Sequence, residues 1–210
     1  MAMETEKLRV YDEQGNPQGI GTRQAVHEQG LWHETFHCWV VGRRNNKNTV
    51  YLQLRSEEKK DFPRLFDITA AGHLLANETV EDGVREVEEE LGLQVDFDKL
   101  ILLGMVKDQM ELPGFIDNER CHCFLYQMPE NNDLRFELQL EEVYGMAEVD
   151  FEALADLFTG KKEEVEIEGF VVTPSGRHPL RRVIGLKDIV PHSSSYLEEI
   201  THLIRKELNR

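Results

Sequence analysis

Three carboxylates stand at positions 86, 89 and 90 of the 210-residue chain, within Arg85-Glu86-Val87-Glu88-Glu89-Glu90-Leu91. On a helix, positions i, i+3 and i+4 share a face, so Glu86, Glu89 and Glu90 project together while Val87 and Leu91 turn toward a sheet. Like charges this close repel, and a cation among them makes the arrangement favourable. Carboxylate oxygens suit a hard divalent ion, magnesium or manganese. The competing reading is a solvated acidic face, which is frequent in acidic chains. Spacing alone leaves both readings open.

The elements around these residues follow from periodicity. Val80, Val84, Val87 and Leu91 recur at helical spacing and predict a helix over 78–91, stopped by Gly92. Upstream, β-rich runs at 35–41 and 49–54 flank a polar loop and predict a hairpin. Runs at 8–11 and 18–21 around a turn-rich segment predict another, as an N-terminal extension. Strands are expected at 100–106 and 120–126, then a short helix over 151–158. A late hairpin joins 165–172 to 180–184, and a final helix spans about 195–208 with Leu197, Ile200, Leu203, Ile204 and Leu208 on one stripe. The central order is β-β-α-β-β-α, an α/β (α+β) arrangement with helices packed on a mixed sheet. The expected division is an N-terminal hairpin extension (1–30), a central domain (31–165) and a C-terminal hairpin and helix packed on it (166–210).

Lys and Arg number 24 against 40 Asp and Glu, a net charge of −16. Such a surface disfavours polynucleotides and acidic membranes, while a phosphorylated small molecule stays compatible because a bound cation locally reverses the field. No apolar run approaches the roughly 18 residues of a membrane span. Residues 1–7 lack the basic and apolar pattern of an export signal, so a cytoplasmic location is expected. Cys38, Cys121 and Cys123 form no Cys-x-x-Cys pair and read as reduced thiols, with Cys121 and Cys123 on one face of a strand. The basic cluster Arg177, His178, Arg181 and Arg182 suits either phosphate or a solvated hairpin or subunit contact, the latter compatible with a homodimer. Arg55, at the end of a strand, is the expected substrate contact.

The wider pattern resembles the Nudix box. Gly72, Glu78, Arg85, Glu86, Val87, Glu89, Glu90, Gly92 and Leu93 fill its places, except that six residues rather than seven separate Glu78 from Arg85. The likeness spans roughly 33–158 and implies a Nudix-type α/β/α sandwich. It also implies magnesium- or manganese-dependent hydrolysis of a small-molecule diphosphate, such as a nucleoside diphosphate linked to another moiety. By the same resemblance Glu86, Glu89, Glu90 and the Gly72 carbonyl hold metal, and Arg85 orients a helix glutamate. The general base is Glu89, Glu141 or Glu142.

Val26-His27, His33, Ala71-Gly72-His73 and Asp117-Asn118-Glu119 are in turn similar to type I isopentenyl diphosphate isomerase, a relative with the same fold. That resemblance implies a second metal site at His27, His33, His73, Asp117 and Glu119. Asp117 is a shorter acid than the isomerase uses, and the step from His27 to His33 is one residue tighter. The isomerase needs a cysteine two positions before the turn histidine, where this chain has Ala71. Hydrolysis is therefore favoured over isomerisation. A third reading, a non-catalytic nucleotide sensor, has no need of three clustered, repelling glutamates.

Overall fold

The structure, a computed structural model, describes residues 6–112, 115–129 and 135–210. The expectations that fall on residues 1–5 lie outside them. An N-terminal hairpin, β1 (Lys7–Tyr11) and β2 (Pro17–Thr22), runs into α1 (Arg23–Gln29). Thr22 caps α1 by accepting from the Ala25 amide, and Gly30 ends it at φ 61°. A second hairpin, β3 (Trp32–Arg44) and β4 (Lys47–Arg55), turns through Asn45 and Asn46 at φ 52° and 60°. Asparagine tolerates that left-handed turn, whose twist matches the strands. Short β5 (Phe66–Asp67) and β6 (Ala70–His73) precede a 3-10 turn, Glu81–Val84, that runs directly into α2 (Arg85–Leu91). Gly92 closes α2 at φ 68°.

The second half holds β7 (Ile101–Leu112), β8 (Phe115–Gln127), β9 (Val143–Asp150) and α3 (Phe151–Phe158). A final hairpin, β10 (Val165–Thr173) and β11 (Gly176–Ile184), leads to α4 (Ser194–Leu208). No helix is long and apolar enough to cross a membrane, among the described residues.

Strand β3 organises the sheet. One edge pairs in parallel with β8 over 32–41, and the other pairs antiparallel with β1, β6 and β4 at 32–33, 35–38 and 41–44. The sheet is mixed for that reason, and it continues from β4 through β9 and β10 to β11. Period-two alternation divides the core. Trp39 and Val41 pack with Cys121, Cys123, Leu125 and the α4 stripe Leu197, Ile200 and Ile204. Phe36, Cys38 and Val40 pack on the opposite face with Val87 and Leu91 of α2. The result is the expected sandwich, helices on both faces of a mixed sheet.

Several elements depart from the sequence expectations, the short strands β5 and β6 among them. The helix expected over 78–91 is α-helical only from Arg85, because the preceding residues take the tighter 3-10 turn. The short α1 buries only Val26 and so carries no apolar stripe to betray it. Strand β9 carries a weak sequence signal because Gly145 and Ala147 dilute its β character. A β-carbon on Gly145 would collide with the Phe170 carbonyl oxygen on β10, so strand packing demands the small residue.

Candidate active site

Helix α2 presents Glu86, Glu89 and Glu90 to a cleft of about 270 Å³ at one end of the sheet. Their environments differ. Glu89 is 54% exposed, whereas the Glu86 side chain is 13% exposed and Glu90 is buried. Burial, and next the nearby Glu86 charge, pushes the Glu90 carboxyl up to about 8; burial pushes Glu86 up to about 7 against the pull of Arg85. Glu90 Oε2 accepts from Gln53 Nε2 at 3.1 Å and from the Ala71 amide at 3.2 Å.

Arg85 ties the cluster together. Its Nη1 lies 2.7 Å from Glu86 Oε1 and 3.0 Å from Glu89 Oε2, and its Nε donates to Glu78 Oε1 at 2.6 Å. Glu78 also accepts from the Leu75 amide, so it is anchored at both ends. At the six-residue spacing Glu78 is thus in contact with the arginine.

Gly72 of β6 lies against Glu86, and a β-carbon there would overlap the Glu86 carboxyl carbon. Gly72→Ala must displace that carboxylate. It is expected to lower metal affinity by about ten- to a hundredfold, read as a loss of magnesium- or manganese-induced stabilisation in thermal melts. An unchanged metal response in the alanine variant would contradict this placement.

Alternation along β6 sends His73 to the other side, toward His27 on α1 and His33 on β3. His73 Nε2 and His27 Nε2 are 3.3 Å apart, and Asp117 Oδ1 lies 3.5 Å from His27 Nε2 and 3.4 Å from His33 Nε2. One donor atom from each of His27, His33 and His73 falls within 4.8 Å of the others, and the same holds for His33, Asp117 and Glu119. His33 Nδ1 is 3.0 Å from the Leu31 carbonyl oxygen, which can only accept, so Nδ1 carries the hydrogen. The His33 Nε2 lone pair then faces the cluster, buried and without a hydrogen-bond partner, as is Asp117 Oδ1. Burial holds His27 down to about 4 and keeps His33 and His73 below the usual imidazole range. Neutral imidazoles around a carboxylate form a donor set suited to a transition-type divalent ion.

The same cleft is lined by Arg55, as expected, and by Lys59, Glu142, Asp67 and His192. Glu142 is buried and paired with Lys59, whereas Glu141 is exposed. The Arg177 cluster does not line the cleft. Arg177 stacks over Phe170, Arg181 faces Glu168 across the β10–β11 ladder, and Arg182 pairs with Asp188. Arg177 also donates to the Phe136 carbonyl, so each of these arginines has a partner outside the cleft. His37, Asp67 and His192, which line the cleft, and Asp108, buried behind His192, are polar groups that sequence reading missed, because they come from four separate segments. One signal was available: Asp108 holds an inward position on β7 between buried Val106 and Met110.

A mixed sheet between helices, with a helix-borne carboxylate cluster opening on a polar cleft, defines the class as an α/β/α sandwich. The NUDIX domain family matches residues 33–168, and the chain belongs to the Nudix hydrolase family. It is 38% identical over 195 residues to a Nudix hydrolase of Clostridium acetobutylicum, covering 92% of this chain and 94% of that protein. It is 31% identical over 128 residues to an isopentenyl-diphosphate Delta-isomerase of Corynebacterium diphtheriae, covering 58% and 67% respectively. A crystal structure from Deinococcus radiodurans shares the fold at TM-score 0.52 and 17% identity, over 75% of this chain and 91% of that one.

Proposed function

We propose that the chain hydrolyses a diphosphate linkage in a small molecule, a nucleoside diphosphate joined to another group or a related organic diphosphate, with magnesium or manganese bound. The observation that carries this reading is the placement of Glu86, Glu89 and Glu90 on one wall of the cleft, two of them with carboxyls raised by burial and mutual repulsion. The three carboxylates are not drawn together as the histidine groups are, and Arg85 spans Glu86 and Glu89; their oxygens suit a hard divalent ion, which would share the neutralisation that Arg85 and protons supply. Glu86, Glu89 and Glu90 would hold the ion, beside Gly72. When bound, it supplies charge neutralisation for the diphosphate.

The chain's own groups divide the remaining work. Glu89, the exposed member, takes the proton from the attacking water as its oxygen bonds to phosphorus and the bridging P–O bond breaks. Arg85 holds Glu89 Oε2 and Glu86 Oε1, fixing both carboxylates relative to each other. Glu142, buried and paired with Lys59, is the weaker candidate for the base; Glu89 is paired through Oε2 with Arg85 but is exposed to water. Arg55 contacts the diphosphate from β4. A screen of diphosphates with magnesium or manganese, reading phosphorylated cleavage fragments and isoprenoid isomers together, tests the reading; isomers without cleavage fragments would reject it.

The histidine cluster supports a second metal site at His27, His33, His73, Asp117 and Glu119, and the isomerase relative makes double-bond isomerisation the alternative. Against that alternative, Ala71 stands where the resemblance requires a thiol, and Cys38, Cys121 and Cys123 are buried and line no part of the cleft. Crystals soaked in manganese should show anomalous density at both clusters. Density at α2 alone would remove the second site while leaving hydrolysis intact.

A further inference from the structure

We propose that His192, delivered by the segment before α4, is a positioning residue that clamps Asp67 to Asp108 and, through Asp67, aims Arg55 at the substrate's diphosphate. This rests on the reading of Arg55 as a diphosphate contact. His192 lies beyond the residues that match the family, which end at 168.

The geometry is specific. His192 Nε2 is 2.9 Å from Asp67 Oδ1, and His192 Nδ1 is 2.6 Å from Asp108 Oδ2. Each ring nitrogen faces a carboxylate oxygen, so each must donate, and the ring is an imidazolium. Asp67 Oδ2 accepts from Arg55 Nη1 at 2.8 Å, and Arg55 Nη2 donates to the Asp61 carbonyl at 3.0 Å. Two anions and two cations thus alternate as Arg55, Asp67, His192 and Asp108. The chain backbone fixes the register: Ile189 bridges to Phe66, and the Val190 amide donates to the Phe66 carbonyl at 2.8 Å. The Ser193 amide donates to Asp108 Oδ1 at 2.9 Å, and its side chain caps α4.

Burying four charges is a poor way to gain stability, because desolvation offsets most of the attraction and apolar residues would pack as well. What the tetrad supplies is orientation. Asp67 and Asp108 come from different strands, and without His192 their carboxylates would repel across the space it fills. Asp67 would then keep only the Ile68 amide, at 2.8 Å, on Oδ1, and its carboxylate could pivot about that bond, loosening the contact that, with the Asp61 carbonyl, sets the plane of the Arg55 guanidinium. Other polar groups near the ring are His37 and Tyr196, with ring centroids 6.4 Å and 5.1 Å from it, and Glu119, whose charge His192 feels.

The test compares Arg55→Ala, His192→Gln and the double variant for binding of magnesium imidodiphosphate, a non-hydrolysable diphosphate, by calorimetry. Each single change should weaken binding about ten- to a hundredfold, as expected for a hydrogen bond to a charged group. The double variant should bind no more weakly than Arg55→Ala alone, since both act through one guanidinium. Normal binding by His192→Gln beside weak binding by Arg55→Ala, or losses that multiply in the double variant, would overturn the proposal. Normal binding by Arg55→Ala would instead remove the reading of Arg55, and the proposal with it. Should His192→Gln fail to fold, nitrogen NMR of the unaltered chain decides: both His192 ring nitrogens should carry protons at pH 8, and a neutral ring overturns the clamp.

Discussion

Replacing Glu89 with glutamine is expected to lower metal-dependent release of phosphorylated products by about a thousandfold, within the range general-base removal produces. The change is nearly isosteric and removes only the charge and the basic oxygen. Glu89 is half exposed and packs in no core, so the melting temperature should move little. Arg85 keeps Glu78 and Glu86 as partners in the variant, so the remaining carboxylates stay placed. Steady-state assays beside thermal melts separate the two effects. Turnover undiminished by this change would mean that the base is another group.

The second large effect is on stability. Glu86 and Glu90 hold their carboxyls up at about 7 and about 8 in the folded chain, against 4.5 as the ordinary value. Between pH 4.5 and 8 the folded state therefore keeps protons that the unfolded state releases, so its stability falls as pH rises through that window. The loss should be on the order of a few kcal/mol, since a tenfold difference in proton affinity between the folded and unfolded chain is worth about 1.4 kcal/mol. For a chain of this size it lowers the melting temperature by about 5–10 °C. Bound metal reverses it by displacing those protons. His192, pushed up to about 10 because its bonds to Asp108 and Asp67 outweigh the opposing effect of burial, also loses stabilising charge as pH rises from 6.5 through 10. Asp117, raised chiefly by burial, adds in the same direction. Comparing melts with chelator and with manganese isolates the groups at the metal sites. The gain from manganese should be several degrees larger at pH 8 than at pH 5.5; an equal gain at both values would place the ion elsewhere.

The carboxylate helix was legible in sequence because its information is local: three glutamates at i, i+3 and i+4, with Val87 and Leu91 opposite. The two-faced sheet was legible for the same reason, since alternation in β3 assigns Phe36 and Trp39 to different cores. Features that depend on distant contacts were not. Nothing near Gly72 announces that Glu86 will lie against it, although the glycine itself marked the place. Alternation in β6 sends Gly72 to the carboxylates and His73 to the histidines, but only once β6 pairs with β3 does that divide the site. Arg181 looked like part of a basic patch until the β10–β11 register set Glu168 opposite it. His192 joins residues 84 and 125 positions away, and no periodicity encodes such a meeting.

The most direct test is turnover in oxygen-18 water, with magnesium or manganese, of a diphosphate that the chain consumes. Attack on phosphorus puts one labelled oxygen on a phosphorylated fragment, yields two such fragments, and disappears in Glu89→Gln. Conversion of an isoprenoid diphosphate to its double-bond isomer with the diphosphate intact and no label at phosphorus would contradict hydrolysis.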